Sequence, residues 1–93
     1  MRKIRQRIQF GKDVRKMERR GRSAEKLWDV IRILQREEQL PAQYHDHKLR
    51  NDGVFRNVRE CHIEPDWLLV YALEQEELIL LLVRTGTHAD LFE

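Results

Sequence analysis

Apolar and polar positions change their period twice along this chain, and the changes mark out its elements. Near the N-terminus Ile4, Ile8 and Phe10 share one side of an alternation, with Arg5, Arg7 and Gln9 opposite, the pattern of a half-buried strand in which Gln6 is the exception. Phe10, Val14 and Met17 then recur at helical spacing, and Gly21 is placed to end that first helix in a left-handed cap. Ser23 is a good N-cap for a second helix, with Glu25 in its first turn and Leu27, Val30, Ile31 and Leu34 along one face. This helix is expected to run to about Gln39, where Leu40-Pro41 stops it, because proline disfavours helical geometry in the residue before it.

Beyond Pro41 the helical period disappears. Tyr44 to Leu49 reads as a short strand or an extended loop, and Asn51-Asp52-Gly53 as a turn. Phe55 to Ile63, Trp67 to Leu73 and Leu78 to Val83 read as three strands, broken at Glu64-Pro65-Asp66 and Glu74-Gln75-Glu76-Glu77. Such short connections make antiparallel neighbours. The last two strands are apolar on both faces, so they should lie centrally, with helices on one side and another element on the other. The expectation is an α+β fold in β-α-α-β-β-β order, two N-terminal helices packed on a small antiparallel sheet. Residues 1–93 form a single domain in this reading, without repeats, low-complexity tracts or linkers.

Length and charge narrow the picture. A chain of 93 residues buries only about 60% of the surface its unfolded form exposes, so stability should be modest and a partner could add to it. The charged start Met1-Arg2-Lys3-Ile4-Arg5 has no apolar run behind it, and Leu78 to Val83 is too short to span a bilayer. With Cys61 the single cysteine, no internal disulfide can form, so the expectation is a soluble cytoplasmic protein without a membrane partner. The net charge of +2 conceals an asymmetry: residues 1–22 carry ten basic side chains against Asp13 and Glu18, a balance of +8 that leaves −6 for the rest. A block of that kind tracks phosphates, meets an acidic protein, or is simply a solvated helix face.

The chemistry gathers in the C-terminal half. His47, His62 and His88 each lie at or near an expected strand end, and Asp66 and Arg84 at two others, so antiparallel pairing can bring them to one rim. Imidazole serves as acid or base near neutrality, arginine grips phosphate bidentately, and aspartate orients an imidazole. Together they suit phosphodiester cleavage in RNA, where a 2′-hydroxyl is deprotonated, the phosphate charge is stabilised and the leaving oxygen is protonated. Each residue also has a duller reading: a structural histidine, a turn aspartate after Pro65, an arginine in an ion pair. His45-Asp46-His47 and Cys61-His62 offer four possible zinc ligands, but strand alternation sends Cys61 and His62 to opposite faces, so no metal site and no cofactor are expected. Cys61 reads as a small buried hydrophobe, Ser23 as a cap rather than a nucleophile, and Gly86 is too isolated for a phosphate loop.

The run RECHIEPDWLLVY from Arg59 to Tyr71, with DHKL from Asp46 to Leu49 and RTGTHADLF from Arg84 to Phe92, closely resembles the YafQ branch of the RelE/ParE toxin superfamily. The similarity extends more loosely over both helices. It implies a bacterial type II toxin of α+β fold that cleaves mRNA in the A site of the 70S ribosome. It also implies a cognate antitoxin that neutralises the toxin, with operator DNA reached only through that antitoxin.

Carried over residue by residue, the resemblance points to His47, His62, Asp66, Arg84, His88 and Phe92. His47 would be the base on the 2′-hydroxyl and His88 the acid at the leaving oxygen, with those labels exchangeable. Arg84 would clamp the phosphate, while Asp66 and His62 orient or tune the imidazoles. Phe92 could stack on a base, Lys48 of DHKL would contact RNA, and Trp67 would be either a wall of the site or core. The charge of the N-terminal block, and not the resemblance, adds the expectation that Arg2, Lys3, Arg15, Lys16, Arg19 and Arg20 meet ribosomal RNA. One departure is the segment Arg50 to Val58, about two residues longer than usual in the resemblance, with Asn57 where glycine is common; asparagine tolerates left-handed geometry, so the turn can survive. Two other classes stay open: a ParE-like toxin acting on DNA gyrase without nuclease chemistry, and an RNA- or protein-binding module without catalysis. The histidines of all three motifs argue against both, since neither needs a general acid.

Overall fold

A computed structural model describes residues 1–49 and 57–93. Strand β1 (Lys3–Gln6) leads into helices α1 (Ile8–Arg19) and α2 (Ala24–Gln35) and a 3-10 turn at Ala42–Tyr44. Strands β2 (His47–Lys48), β3 (Arg59–Glu64), β4 (Trp67–Glu74) and β5 (Ile79–Gly86) follow, and helix α3 (His88–Phe92) ends the chain. The five strands form one sheet in the order β1-β5-β4-β3-β2. Strands β2 to β5 are antiparallel, and turns at the expected breaks join β3 to β4 and β4 to β5, so the expected α+β arrangement is the observed one.

Several expectations need correction. β1 pairs with β5 in parallel, Lys3 opposite Ile79 and Gln6 opposite Leu82. No hairpin joins these two strands, so the rule that makes neighbours antiparallel does not bind them. The first helix starts at Ile8, which breaks the supposed strand face: Phe10 is fully buried on α1, whereas Ile8 is 83% exposed. The second helix stops at Gln35, short of Pro41. Glu37 turns left-handed with φ 64°, its amide donates to Leu34 O and that of Glu38 to Ile33 O, the two bonds of a Schellman cap. Helix α1 closes in the same way around Gly21, φ 86°, as its sequence predicts. Ser23 occupies the N-cap of α2 but makes no side-chain cap bond. Asn57 is left-handed with φ 54°, the geometry for which asparagine suits that position. The turn expected at Asn51-Asp52-Gly53 and the beginning of the strand expected from Phe55 lie outside the described residues.

The sheet separates two apolar clusters. On one face α1 and α2 bury Phe10, Met17, Leu27, Val30, Ile31 and Leu34 against Cys61, Trp67, Leu69, Tyr71, Leu80 and Leu82. On the other, Val58, Leu68, Val70 and Val83 meet Leu91 of α3, the element that the two-sided apolarity of β4 and β5 called for and that was not foreseen as a helix. Its sequence signal is the capping box Thr87-His88-Ala89-Asp90: the Thr87 hydroxyl accepts from Asp90 N at 3.1 Å, and Asp90 Oδ2 accepts from Thr87 N at 2.9 Å. Among the described residues no helix is long and apolar enough to cross a membrane.

Candidate active site

Register decides which side chains meet on the α3 face. His47 lies opposite Glu60, Glu60 opposite Val70, and Val70 opposite Arg84, one row that crosses four strands. His62 sits one step along that face, opposite Leu68. An irregularity between β4 and β5 leaves Val83 without a cross-strand partner, so the alternation shifts and Arg84 falls into line with Val70. Such bulges re-aim side chains next to functional sites.

Four histidines gather there, His45 beside the expected His47, His62 and His88. His62 is the centre: its ring centroid lies 5.6 Å from His45, 6.5 Å from His47 and 6.0 Å from His88. Phe92 extends the row, 6.2 Å from His88. His45, omitted from the expected set, follows the 3-10 turn in a left-handed conformation and accepts a hydrogen bond at its carbonyl from His47 Nδ1 at 2.7 Å. Glu60, also omitted, is 5% exposed, with Oε1 3.5 Å from His47 Nε2 and 3.7 Å from His62 Nε2. A buried carboxylate between two imidazoles holds them together on one face of the sheet. Its sequence signal was the alternation itself, which puts Glu60 beside His62 and opposite Cys61.

Each histidine is carried by a pinned segment. Asp66, in the β3–β4 turn, accepts from His88 N at 3.1 Å and pairs its Oδ1 with His88 Nδ1 at 2.9 Å, on a histidine whose side chain is half exposed. Hydrogen bonds from His88 hold the Asp66 carboxyl below the usual carboxylate range. His62 Nδ1 lies 3.3 Å from Pro65 O. The segment carrying His45 and His47 is tied down by Asp46, which accepts from Tyr71 Oη and from Arg59 Nη2 at 3.0 Å. Burial, and then that bond to Asp46, push the Tyr71 phenol well above its ordinary range.

Helix α3 is held from a distance. Asp90 accepts Arg20 Nη1 at 2.7 Å, Arg20 Nη2 at 3.1 Å and Lys16 Nζ at 3.2 Å. These cations, Arg20 foremost, keep the Asp90 carboxyl far below the usual range. Gly86 permits the approach, since a Cβ there would come within 3.0 Å of the Asp90 side chain. Arg84 is anchored to α1: its Nε and Nη2 donate to Asp13 at 2.7 and 3.1 Å.

Some expected site residues are placed elsewhere. Trp67 is core rather than wall, 1% exposed, its Nε1 donating to Thr85 Oγ1 at 2.9 Å. Lys48 pairs with Arg59 and lies on the face opposite His47, because alternation separates neighbours on a strand. Arg2 donates to Leu34 O at 2.9 Å at the end of α2, and Lys16 and Arg20 serve Asp90, so of the six cations assigned to ribosomal RNA only Lys3, Arg15 and Arg19 are exposed without an internal role described above. Cys61 is fully buried on the helix side while His62 faces the other cluster, the separation that alternation predicts. Among the described residues no group of three or more His, Cys, Asp or Glu side chains is arranged to hold a metal ion.

Comparison with known proteins gives this arrangement a family. The model of a bacterial toxin of type II toxin-antitoxin system, YafQ, matches residues 2–93. The mRNA interferase toxin YafQ of Escherichia coli K12 is 40% identical over 85 residues, covering 90% of this chain and 88% of its own. Among solved structures, a metal-bound toxin from Helicobacter pylori superposes with a TM-score of 0.90 at 38% identity over 99% of this chain and all of its own. The Escherichia coli DinJ-YafQ complex superposes at 0.87 and 38% identity, covering all of both chains. The chain therefore belongs to the YafQ family of bacterial type II toxins.

Proposed function

We propose that this toxin is an mRNA interferase that cleaves ribosome-bound message on the α3 face of its sheet, using the histidines around His62 as acid and base. The observation that carries the reading is the ordered chain His47–His62–His88, with Glu60 between the first two and Asp66 fixing the third. Three imidazoles in contact, each held by a carboxylate or a carbonyl, suit proton transfer better than structural support.

In the proposed reaction the 2′-hydroxyl attacks the adjacent phosphorus. The O2′–P bond forms, the P–O5′ bond breaks, and the hydroxyl proton passes to the His47–Glu60–His62 group. His88 Nε2 delivers a proton to the leaving 5′-oxygen, and Asp66 accepts the hydrogen bond from Nδ1 that fixes the tautomer. Arg84 stabilises the extra phosphate charge in the transition state. Phe92, 38% exposed beside His88, supports the base next to the scissile bond by stacking. The products are a cyclic phosphate, or its 3′-phosphate hydrolysis product, and a free 5′-hydroxyl.

The E. coli relative is found with its antitoxin DinJ. A cognate antitoxin is accordingly the proposed partner here; it raises the melting temperature of a 93-residue toxin on binding, and operator DNA is reached through it. Lys3, Arg15 and Arg19 supply the exposed cations for ribosomal RNA. Reversing their charge should weaken ribosome binding and flatten its salt dependence.

The deciding experiment follows message ends after incubation with programmed ribosomes. The expected result is metal-independent cleavage with 5′-hydroxyl ends, slowed roughly 10²-fold or more by His88→Ala while ribosome affinity is kept. Products with 5′-phosphates, or full activity in a variant lacking His47, His62 and His88, would move the chemistry elsewhere. Inhibited plasmid supercoiling without message cleavage would favour the gyrase reading.

A further inference from the structure

A carboxylate on the first helix reaches the reacting face from behind the sheet. Strand β1 pairs with β5 only from Ile79 to Leu82, so the edge of β5 beyond that point lacks a strand partner. Helix α1 crosses there, and its Asp13, 4% exposed, takes over: Oδ2 accepts from Thr85 N at 3.1 Å and from Arg84 Nε at 2.7 Å. Its Oδ1 accepts from Arg84 Nη2 at 3.1 Å and from Gln9 Nε2 at 3.1 Å. Both carboxylate oxygens are satisfied, and a single side chain fixes the Arg84 backbone, through its neighbour, and its guanidinium together.

We propose that Asp13 is the positioning residue for the phosphate-binding arginine of this toxin. The inference rests on the reading of Arg84 as the phosphate clamp. Arginine presents five N–H donors in a rigid fork. Asp13 takes the side edge, Nε with Nη2, and the end edge, Nη1 with Nη2, is left to present the bidentate geometry that a phosphate accepts. Arg84 lines a concavity that Val58, Ala72 and Val83 share with Arg7 and Gln9, so its guanidinium is open to a groove beside the histidines rather than enclosed by them. Were Arg84 to swing toward substrate as a mobile cation, it would leave a buried carboxylate without its counter-ion, so the guanidinium acts from a fixed place. The pairing also lifts Arg84 above the ordinary arginine range and keeps it charged. Because Asp13 offsets that charge in the resting protein, the gain should appear at the transition state, where directed hydrogen bonds count, rather than in ground-state attraction for RNA.

The test is a set of single-turnover cleavage measurements on programmed ribosomes with full-length protein. Asp13→Asn is expected to slow cleavage roughly tenfold to a hundredfold, the scale for a misplaced catalytic group, with the half-saturating ribosome concentration within about twofold of the parent. Arg84→Ala should be at least as slow, and the double variant no slower than Arg84→Ala alone, since Asp13 acts through Arg84. Full activity of Asp13→Asn beside a slow Arg84→Ala sinks this inference and spares the clamp. Two losses that multiply overturn it as well, because they assign Asp13 an effect of its own. Full activity of Arg84→Ala removes the clamp and this inference with it. Should Asp13→Asn fail to fold, the parent protein still answers: Arg84 Nε–H should exchange with solvent more slowly than Arg15 and Arg19 Nε–H, and equal rates refute the anchoring.

Discussion

Replacing Thr85 by valine removes one oxygen from a buried position near the end of β5 and keeps the side chain's shape. Thr85 is 1% exposed; its Oγ1 accepts from Trp67 Nε1 at 2.9 Å and donates to Leu68 O at 2.6 Å, while Trp67 is itself 1% exposed. In the valine variant the indole N–H is left buried without its acceptor, at a cost of about 1–3 kcal/mol, and Leu68 O loses one donor. The added methyl offsets part of this. A net loss of about 2 kcal/mol corresponds to a fall of about 10 °C in melting temperature for a domain of this size. Thr85→Ser makes the contrast, since it gives up a buried methyl worth about 1 kcal/mol and keeps both hydrogen bonds. Thermal unfolding followed by near-UV circular dichroism, where Trp67 reports, should rank parent above serine above valine. Below the transition the valine variant should still cleave message, because Asp13 is bonded through Thr85 N and not through its side chain. A valine variant as stable as the serine one, or more so, would refute the reasoning.

Helix α3 and low pH supply two more predictions. Arg20→Glu should slow message cleavage with little change in ribosome affinity, because Arg20 restrains Asp90 and so the helix bearing His88, whereas Arg19→Glu should act mainly on affinity; equal effects on affinity from both would contradict the assignment. The Asp90 and Glu64 carboxyls are held below their ordinary range, by hydrogen bonds from Arg20 and from Lys26 respectively, so the stability they contribute is complete above the unfolded carboxylate range, about pH 4, and is lost as pH falls through their folded values. Melting temperatures measured from pH 7 to pH 3 should therefore drop at the acid end, and Asp90→Asn should flatten that drop; an unchanged pH profile in the variant would be inconsistent with it.

What the linear sequence determines here is whatever depends on neighbours along the chain. The 3.6-residue spacing of Leu27, Val30, Ile31 and Leu34 makes α2, Gly21 ends α1, and the two-residue period puts Cys61 and His62 on opposite faces. The motifs holding His47, His62, Asp66, Arg84 and His88 are legible as candidate chemistry for the same reason, since each is a short local run at or near an expected strand end, although β5 continues to Gly86 and so carries Arg84 within it. Two further signals are local in the same sense, the Thr87 to Asp90 capping box that makes α3 and the alternation that sets Glu60 beside His62. Tertiary structure alone decided the rest, because it depends on which distant segments meet. The parallel pairing of β1 with β5, the bulge that re-aims Arg84, and the contact of His62 with three other imidazoles are set by sheet register. The fate of the basic N-terminal block was settled in the same way. Its charge is visible in the sequence, but Arg20 meets Asp90 and Asp13 meets Arg84 across about seventy residues, and only the packing of α1 along the edge of β5 brings those charges together.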